Sequence, residues 1–130
     1  MSMSDRVRWI QYKGKRLFLV DIRSASREAQ LEALAAYSAL LKSEPDASVR
    51  LLVLAGDFDF HPDVITKAKV HLLDGQPKVV RSALVGVDGI LRVAIEGFIA
   101  MARFLGMTMN QDRGRHFESE EEAKDWLISL

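Results

Sequence analysis

The chain has 130 residues, and its eighteen lysines and arginines balance eighteen aspartates and glutamates to a formal net charge of zero, so no global field draws it to nucleic acid or to an anionic membrane. A chain of this length buries one core, covering about two thirds of the surface that its unfolded form exposes, and is read as a single domain over residues 1–130. It has no cysteine, which excludes disulfides, thiol catalysis and thiolate metal sites and fits a reducing interior.

In chain order, Met1-Ser2-Met3-Ser4-Asp5-Arg6 lacks the apolar core of a signal peptide, and a cytoplasmic protein is expected. Val7 to Tyr12, Lys13-Gly14-Lys15 and Arg16 to Ile22 read as a hairpin, with glycine where the turn requires a positive φ. Leu17-Phe18-Leu19-Val20 is apolar throughout and belongs inside the sheet, whereas Arg8 and Gln11 put the first strand at an edge. Ser24 or Ser26 caps a helix that runs to about Ser43, where Pro45 and Asp46 stop it. Ala29, Ala33, Ala36, Tyr37 and Leu40 widen its apolar arc beyond the stripe of Leu31, Leu34, Ser38 and Leu41. Such a helix touches more than the sheet beneath it, either a neighbouring helix or a second subunit.

Val49 to Ala55 is an apolar run, followed by the polar turn Gly56-Asp57-Phe58-Asp59-Phe60-His61-Pro62-Asp63, a helix from about Pro62 to Asp74, and a strand over Val79 to Val87. Two apolar runs around one helix predict parallel strands buried on both faces and joined by a crossover. Asp88-Gly89 turns into the longest predicted helix, about Ile90 to Leu105, whose charges Arg92, Glu96 and Arg103 fall in one narrow sector. Three charges argue against a membrane span and for burial, by the domain itself, in a homo-oligomer, or over a ligand pocket. Thr108 to Arg115 is a polar connection with a short edge strand leading into His116-Phe117. Ser119-Glu120-Glu121-Glu122 is a capping box opening a final helix, with Ala123, Trp126, Leu127 and Leu130 at helical spacing.

Ligands and partners of open α/β sheets meet the loops at the carboxyl ends of parallel strands. The candidate binding residues are therefore Asp57, Asp59, His61 and Asp63 after the Val49 to Ala55 strand, and Asp88 after Val87. Asp59 and Asp63 alternate with aromatic and proline residues in no recognised calcium or magnesium loop, and no pair of histidines has zinc spacing, so neither metal nor catalytic residue is assigned. Gly86 and Gly89 follow a strand and open a helix, yet complete no nucleotide fingerprint, and no cofactor is assigned. Lys67, Lys69, Lys78 and Arg81 lack the interleaved aromatics of a nucleic-acid surface.

Four segments, Leu17-Phe18-Leu19-Val20-Asp21-Ile22-Arg23, Val49 to Phe60, Ala83-Leu84-Val85-Gly86-Val87, and His116 to Ala123 leading to Trp126-Leu127, together with the order of elements, resemble the STAS family, the fold of anti-sigma factor antagonists. The resemblance spans Val7 to Leu130. It implies an α/β sandwich in the order β-β-α-β-α-β-α-β-α, with a mostly parallel or mixed sheet of four to five strands and about four helices, serving bacterial signalling through protein–protein interaction. Phosphoswitch members of that family carry an Asp-Ser-Ser or Asp-Ser-Thr turn after the third strand. The corresponding Phe60-His61-Pro62-Asp63 has no hydroxyl, Thr66 lies a turn further on, and no phosphoacceptor is assigned. Two functions follow as expectations. One is a non-enzymatic regulatory or scaffold module that binds a protein partner; the alternative is a small-molecule protein for an apolar ligand or lipid, less readily an enzyme, using the loops after Ala55 and Val87.

Overall fold

The structure is a computed structural model and describes residues 6–56, 61–75, 78–86, 96 and 114–129. Strands β1 (Val7–Tyr12) and β2 (Lys15–Asp21) form the expected antiparallel hairpin. Lys13 and Gly14 both have positive φ, 49° and 82°, as a two-residue turn matched to the right-handed twist of its strands requires. Helix α1 (Arg27–Leu41) crosses to β3 (Val49–Leu54), and α2 (Pro62–Gly75) crosses to β4 (Val79–Val85). The chain returns as β5 (Gly114–Phe117) and ends in α3 (Glu120–Ile128). The sheet is mixed and ordered β1-β2-β3-β4-β5, with every pair after the hairpin parallel. The helix expected over Ile90 to Leu105 lies, apart from Glu96, outside the described residues, as do Val87 and Asp88. Three helices are therefore described.

Alternation along β2 and β3 divides the core in two. Phe18, Val20, Val49 and Leu51 meet Ala33, Ala36, Tyr37 and Leu41 of α1 on one face. Leu17, Leu19, Leu52 and Leu54 meet Ala123 and Leu127 of α3 on the other. Helices on both faces explain why these strands read as unbroken apolar runs. Leu17, Phe18, Leu52 and Leu127 are wholly buried, each favouring the fold by about 1.5–3 kcal/mol relative to exposure. The wide apolar arc of α1 finds a neighbour in α2, the helix–helix packing that its sequence anticipates. Trp9 stacks on Phe18 at 4.8 Å and Phe18 on Tyr37 at 5.8 Å between ring centroids. That stack joins hairpin, sheet and helix through one column of rings.

Ser26 rather than Ser24 caps α1, its hydroxyl accepting from Ala29 N at 3.2 Å. The helix stops at Leu41, two residues before the expected end. Ser119 caps α3 by accepting from Glu122 N, with three glutamates in the first turn at the positive end of the dipole. The last turn of α3 has no basic residue of its own. Arg81 Nη1 donates to Trp126 O at 2.6 Å, Arg50 Nε to Leu127 O at 3.1 Å and Lys15 Nζ to Ile128 O at 3.1 Å. Three strands thus supply the cations that the helix end needs. Arg81 is accordingly not part of a basic face with Lys78, whose ammonium donates instead to Glu44 O at 2.7 Å. No helix among the described residues is long and apolar enough to cross a membrane.

Candidate functional site

Parallel strands deliver their carboxyl ends to one edge of the sheet, and backbone pairing there continues past the strands themselves. Ile22 N donates to Leu54 O at 2.9 Å, Ser24 N to Gly56 O at 3.1 Å, Ala55 N to Val85 O at 2.8 Å and Gly86 N to Phe117 O at 3.3 Å. The points where the chain leaves β2, β3, β4 and β5 are therefore held side by side. Gly86 has φ +81°, and a Cβ there would lie 2.0 Å from the Ala55 carbonyl oxygen. Its glycine is required by the close approach of the β3 exit, in a backbone conformation that side chains resist.

Around this edge the charged side chains form short local pairs. Arg23 grips both oxygens of Asp21, Nε to Oδ1 at 3.0 Å and Nη2 to Oδ2 at 2.8 Å, and its backbone N–H adds a bond at 3.1 Å. The side-chain hydrogen bonds from Arg23 hold the Asp21 carboxyl below its usual range, against partial burial. Arg6 Nη1 donates at 3.2 Å to the carbonyls of Asp21 and Arg23, tying the start of the hairpin to the same corner.

Crossover helices run antiparallel to their strands, so the first turns of α1 and α2 also arrive at this edge. Arg27, the first residue of α1, donates through Nε to Asp63 Oδ2 at 2.7 Å, and its Nη2 bonds the same oxygen. The Asp63 carboxyl is lowered by those hydrogen bonds, and the Arg27 guanidinium is raised by them. Asp63 suits the positive end of α2, whereas an arginine opening α1 opposes the dipole of its own helix. The cross-helix carboxylate answers that conflict. His61 stands half-buried just before α2. Thr66 Oγ1 donates back to Pro62 O at 3.1 Å, so the hydroxyl that follows the turn in sequence is engaged by its own helix.

Of the five residues singled out by sequence, His61 and Asp63 are thus at the carboxyl edge, and Asp57, Asp59 and Asp88 lie outside the described residues. Sequence reading missed Arg6, Asp21, Arg23 and Arg27. A signal for Arg27 existed, since an arginine at the start of a helix is electrostatically misplaced unless something nearby is acidic. Among the described residues, no three histidine, aspartate or glutamate side chains gather to hold a metal.

A cavity of about 330 Å³ opens at the opposite end, between the carboxyl-terminal parts of α1 and α2, lined by Tyr37, Ser38, Ala39, Leu41, Lys42, His71 and Lys78. Ser38 Oγ is hydrogen-bonded to His71 Nδ1 across the two helices. Burial pushes the Tyr37 phenol well above its ordinary value. This cavity is distinct from the loops after Ala55 and Val87, where a pocket was expected. Compared with known proteins, the chain matches no family model, no curated protein and no solved structure.

Proposed function

We propose that the chain is a non-enzymatic regulatory or scaffold module of STAS-like fold, which binds a protein partner through the carboxyl edge of its sheet. Asp57, Asp59, His61, Asp63 and Asp88 are the residues it would present, with no phosphoacceptor hydroxyl in the turn before α2. Support for the fold comes from the element order, two strands, helix, strand, helix, strand, then strand and helix, on which the resemblance rests. The observation that carries the binding role is the Arg27–Asp63 pair, which joins the first turns of α1 and α2 into one surface. Arg27, Pro62, Asp63, Thr66 and Lys67 are all exposed there, and a fixed, charged, solvent-facing surface suits electrostatic complementarity with another protein. A bacterial signalling role follows from the same resemblance, and the cytoplasm is the setting that a chain without cysteine fits.

The second reading, a small-molecule protein, is favoured by the cavity between α1 and α2. The two readings separate by experiment. Partner proteins captured by the wild-type chain and identified by crosslinking mass spectrometry should be lost with the double variant His61→Glu, Asp63→Arg and kept with Lys124→Glu on α3. Retention of the same partner by the carboxyl-edge variant, with its fold intact by circular dichroism, would refute the protein-binding reading.

A further inference from the structure

Strand β1 ends the sheet on one side, and among the described residues no strand pairs with its outer edge. Asp21 N donates to Arg6 O, and hydrogen-bonded pairs alternate along an antiparallel ladder, so Arg8, Ile10 and Tyr12 also turn their backbone groups toward β2. Those of Val7, Trp9 and Gln11 point outward. Val7 is wholly buried, which leaves Arg8 to Tyr12 as the open part of the edge, with Arg8 and Gln11 exposed and Trp9, Ile10 and Tyr12 half-buried. This stretch lacks the devices that block strand pairing: it has no proline, its register with β2 runs without a bulge, and its one charge is Arg8. Trp9 is held by Phe18, at 4.8 Å between ring centroids, and by the Arg16 guanidinium, 3.7 Å from its own centroid, so the edge is fixed before anything meets it.

The open stretch is complementary to itself. Two copies related by a two-fold axis normal to the sheet pair antiparallel with like faces together, and the register centred on Ile10 uses all of Arg8 to Tyr12. Trp9 then stands opposite Gln11 of the second copy, and Gln11 opposite its Trp9, so the outward groups meet in about four backbone hydrogen bonds. A register centred on Trp9 would call on the buried Val7. Ile10 meets Ile10 at the axis, on the face where it already packs against the core beneath α3.

Arg8 lies opposite Tyr12 in this register. The Tyr12 hydroxyl and the Lys13 ammonium both donate to Asp125 Oδ1, at 2.7 and 3.0 Å, and Asp125 Oδ2 accepts no hydrogen bond among the described residues. The other cations there have partners of their own, Lys124 in Glu120 at 2.7 Å and Lys15 in Ile128 O at 3.1 Å. Glu121, one helical turn before Asp125, is exposed and makes no ion pair among the described residues. The Arg8 guanidinium of a second copy thus arrives beside acceptors and opposite no like charge. The geometry points to β1 as a dimerisation edge, on which a second copy of this chain continues the sheet across a two-fold axis at Ile10. The strip is short, so the dimer belongs with small interfaces that form at high concentration and dissociate on dilution. It is separate from Arg27 and Asp63, and its failure leaves the protein-binding reading untouched.

In sedimentation of the purified full chain, from about 5 µM to about 1 mM, the mass should rise from 14.6 kDa toward twice that value, as a weak small interface requires. Gln11→Pro removes an outward N–H and no bond to β2, and should keep the chain monomeric throughout. The chain has no cysteine, so single cysteines report the register. A residue on the axis faces its own copy at about 4.5 Å between Cα atoms, within disulfide reach, whereas the two Arg8 positions stand about 14 Å apart. With oxidised glutathione, Ile10→Cys should form disulfide-linked dimers at least about tenfold faster than Arg8→Cys. Circular dichroism checks the fold of each variant, and should Gln11→Pro not fold, the cysteine comparison decides alone. A wild-type chain that stays monomeric, whether its edge is bare or made for the strand of another protein, a dimer that persists in folded Gln11→Pro, or equal crosslinking of the two cysteine variants would each overturn the proposal.

Discussion

Replacing Gly86 with alanine tests whether the carboxyl edge is as tightly built as its hydrogen bonds imply. Alanine must take a φ near +81°, which costs a residue with a side chain roughly 1–2 kcal/mol. Its Cβ would also lie 2.0 Å from Ala55 O, so the backbone has to move. Two bonds straddle that point, Ala55 N to Val85 O and Gly86 N to Phe117 O, and weakening each costs about 0.5–1.5 kcal/mol. The sum is about 2–5 kcal/mol. Gly14 is the internal control, because it shares the positive φ, 82°, with nothing within 4 Å of its Cβ position. Gly14→Ala should therefore cost only about 1–2 kcal/mol. Urea unfolding followed by tryptophan fluorescence measures both variants. A loss of about 3 kcal/mol lowers the midpoint by about 1.5–2 M at a slope of about 1.5–2 kcal/mol/M. Equal losses for the two variants would show that the contact at Ala55 costs nothing beyond dihedral strain, and the account of the edge would be wrong.

Leu127→Ala, at a wholly buried site in the core beneath α3, should lose about 2–5 kcal/mol; a loss below 1 kcal/mol in the same urea assay would show that α3 is loosely docked. Ala47 has φ +54°, so Ala47→Gly should gain about 0.5–1 kcal/mol, the relief of left-handed strain less the added freedom of the unfolded chain, and a lowered midpoint would refute it. Both tyrosines have raised values, Tyr37 by burial and Tyr12 chiefly by its hydrogen bond to Asp125. The native state therefore holds protons that the unfolded state releases near pH 10, so this stabilisation is complete below about pH 10 and declines as pH rises above it. Ultraviolet titration should show Tyr12 ionising above its ordinary range in the folded protein and Tyr37 only with unfolding; ordinary titration of both rings in the folded protein contradicts the burial of Tyr37. Asp21 works in the opposite sense: its lowered carboxyl contributes above about pH 4 and loses that contribution as pH falls through the folded value. Arg23→Ala should bring the NMR-measured Asp21 value back up, and an unmoved value would deny the pairing.

Strand identity was legible because burial on both sides of a sheet leaves a local imprint: Leu17-Phe18-Leu19-Val20 and Leu51-Leu52 need no distant information to read as interior. The hairpin and the Ser119 cap were legible for the same reason, each being set by a few neighbouring residues. The partners of α3 were not. Arg50, Arg81 and Lys15 stand far from Trp126, Leu127 and Ile128 in sequence, and only the parallel register of the sheet brings them together. The Arg27–Asp63 pair depends likewise on two crossovers placing their helix starts side by side. The cavity was illegible for a further reason: Ser38 and His71 are ordinary residues on two helices until packing sets them across from each other.

The division of the core into two faces also sets a timetable for synthesis. Sheet order follows chain order, so each strand can dock on its predecessor as it leaves the ribosome, and the α1 face can close early. The other face cannot. Leu17 and Leu19 wait for Ala123 and Leu127, roughly 110 residues later, which at about 5–20 residues per second is about 5–20 s. Among the described residues, α3 is the helix that covers the leucines of β2 and β3 on this face. A chain shortened before α3 lacks the apolar cover that Ala123 and Leu127 give Leu17 and Leu19, and should bind a hydrophobic dye such as ANS that the full chain does not.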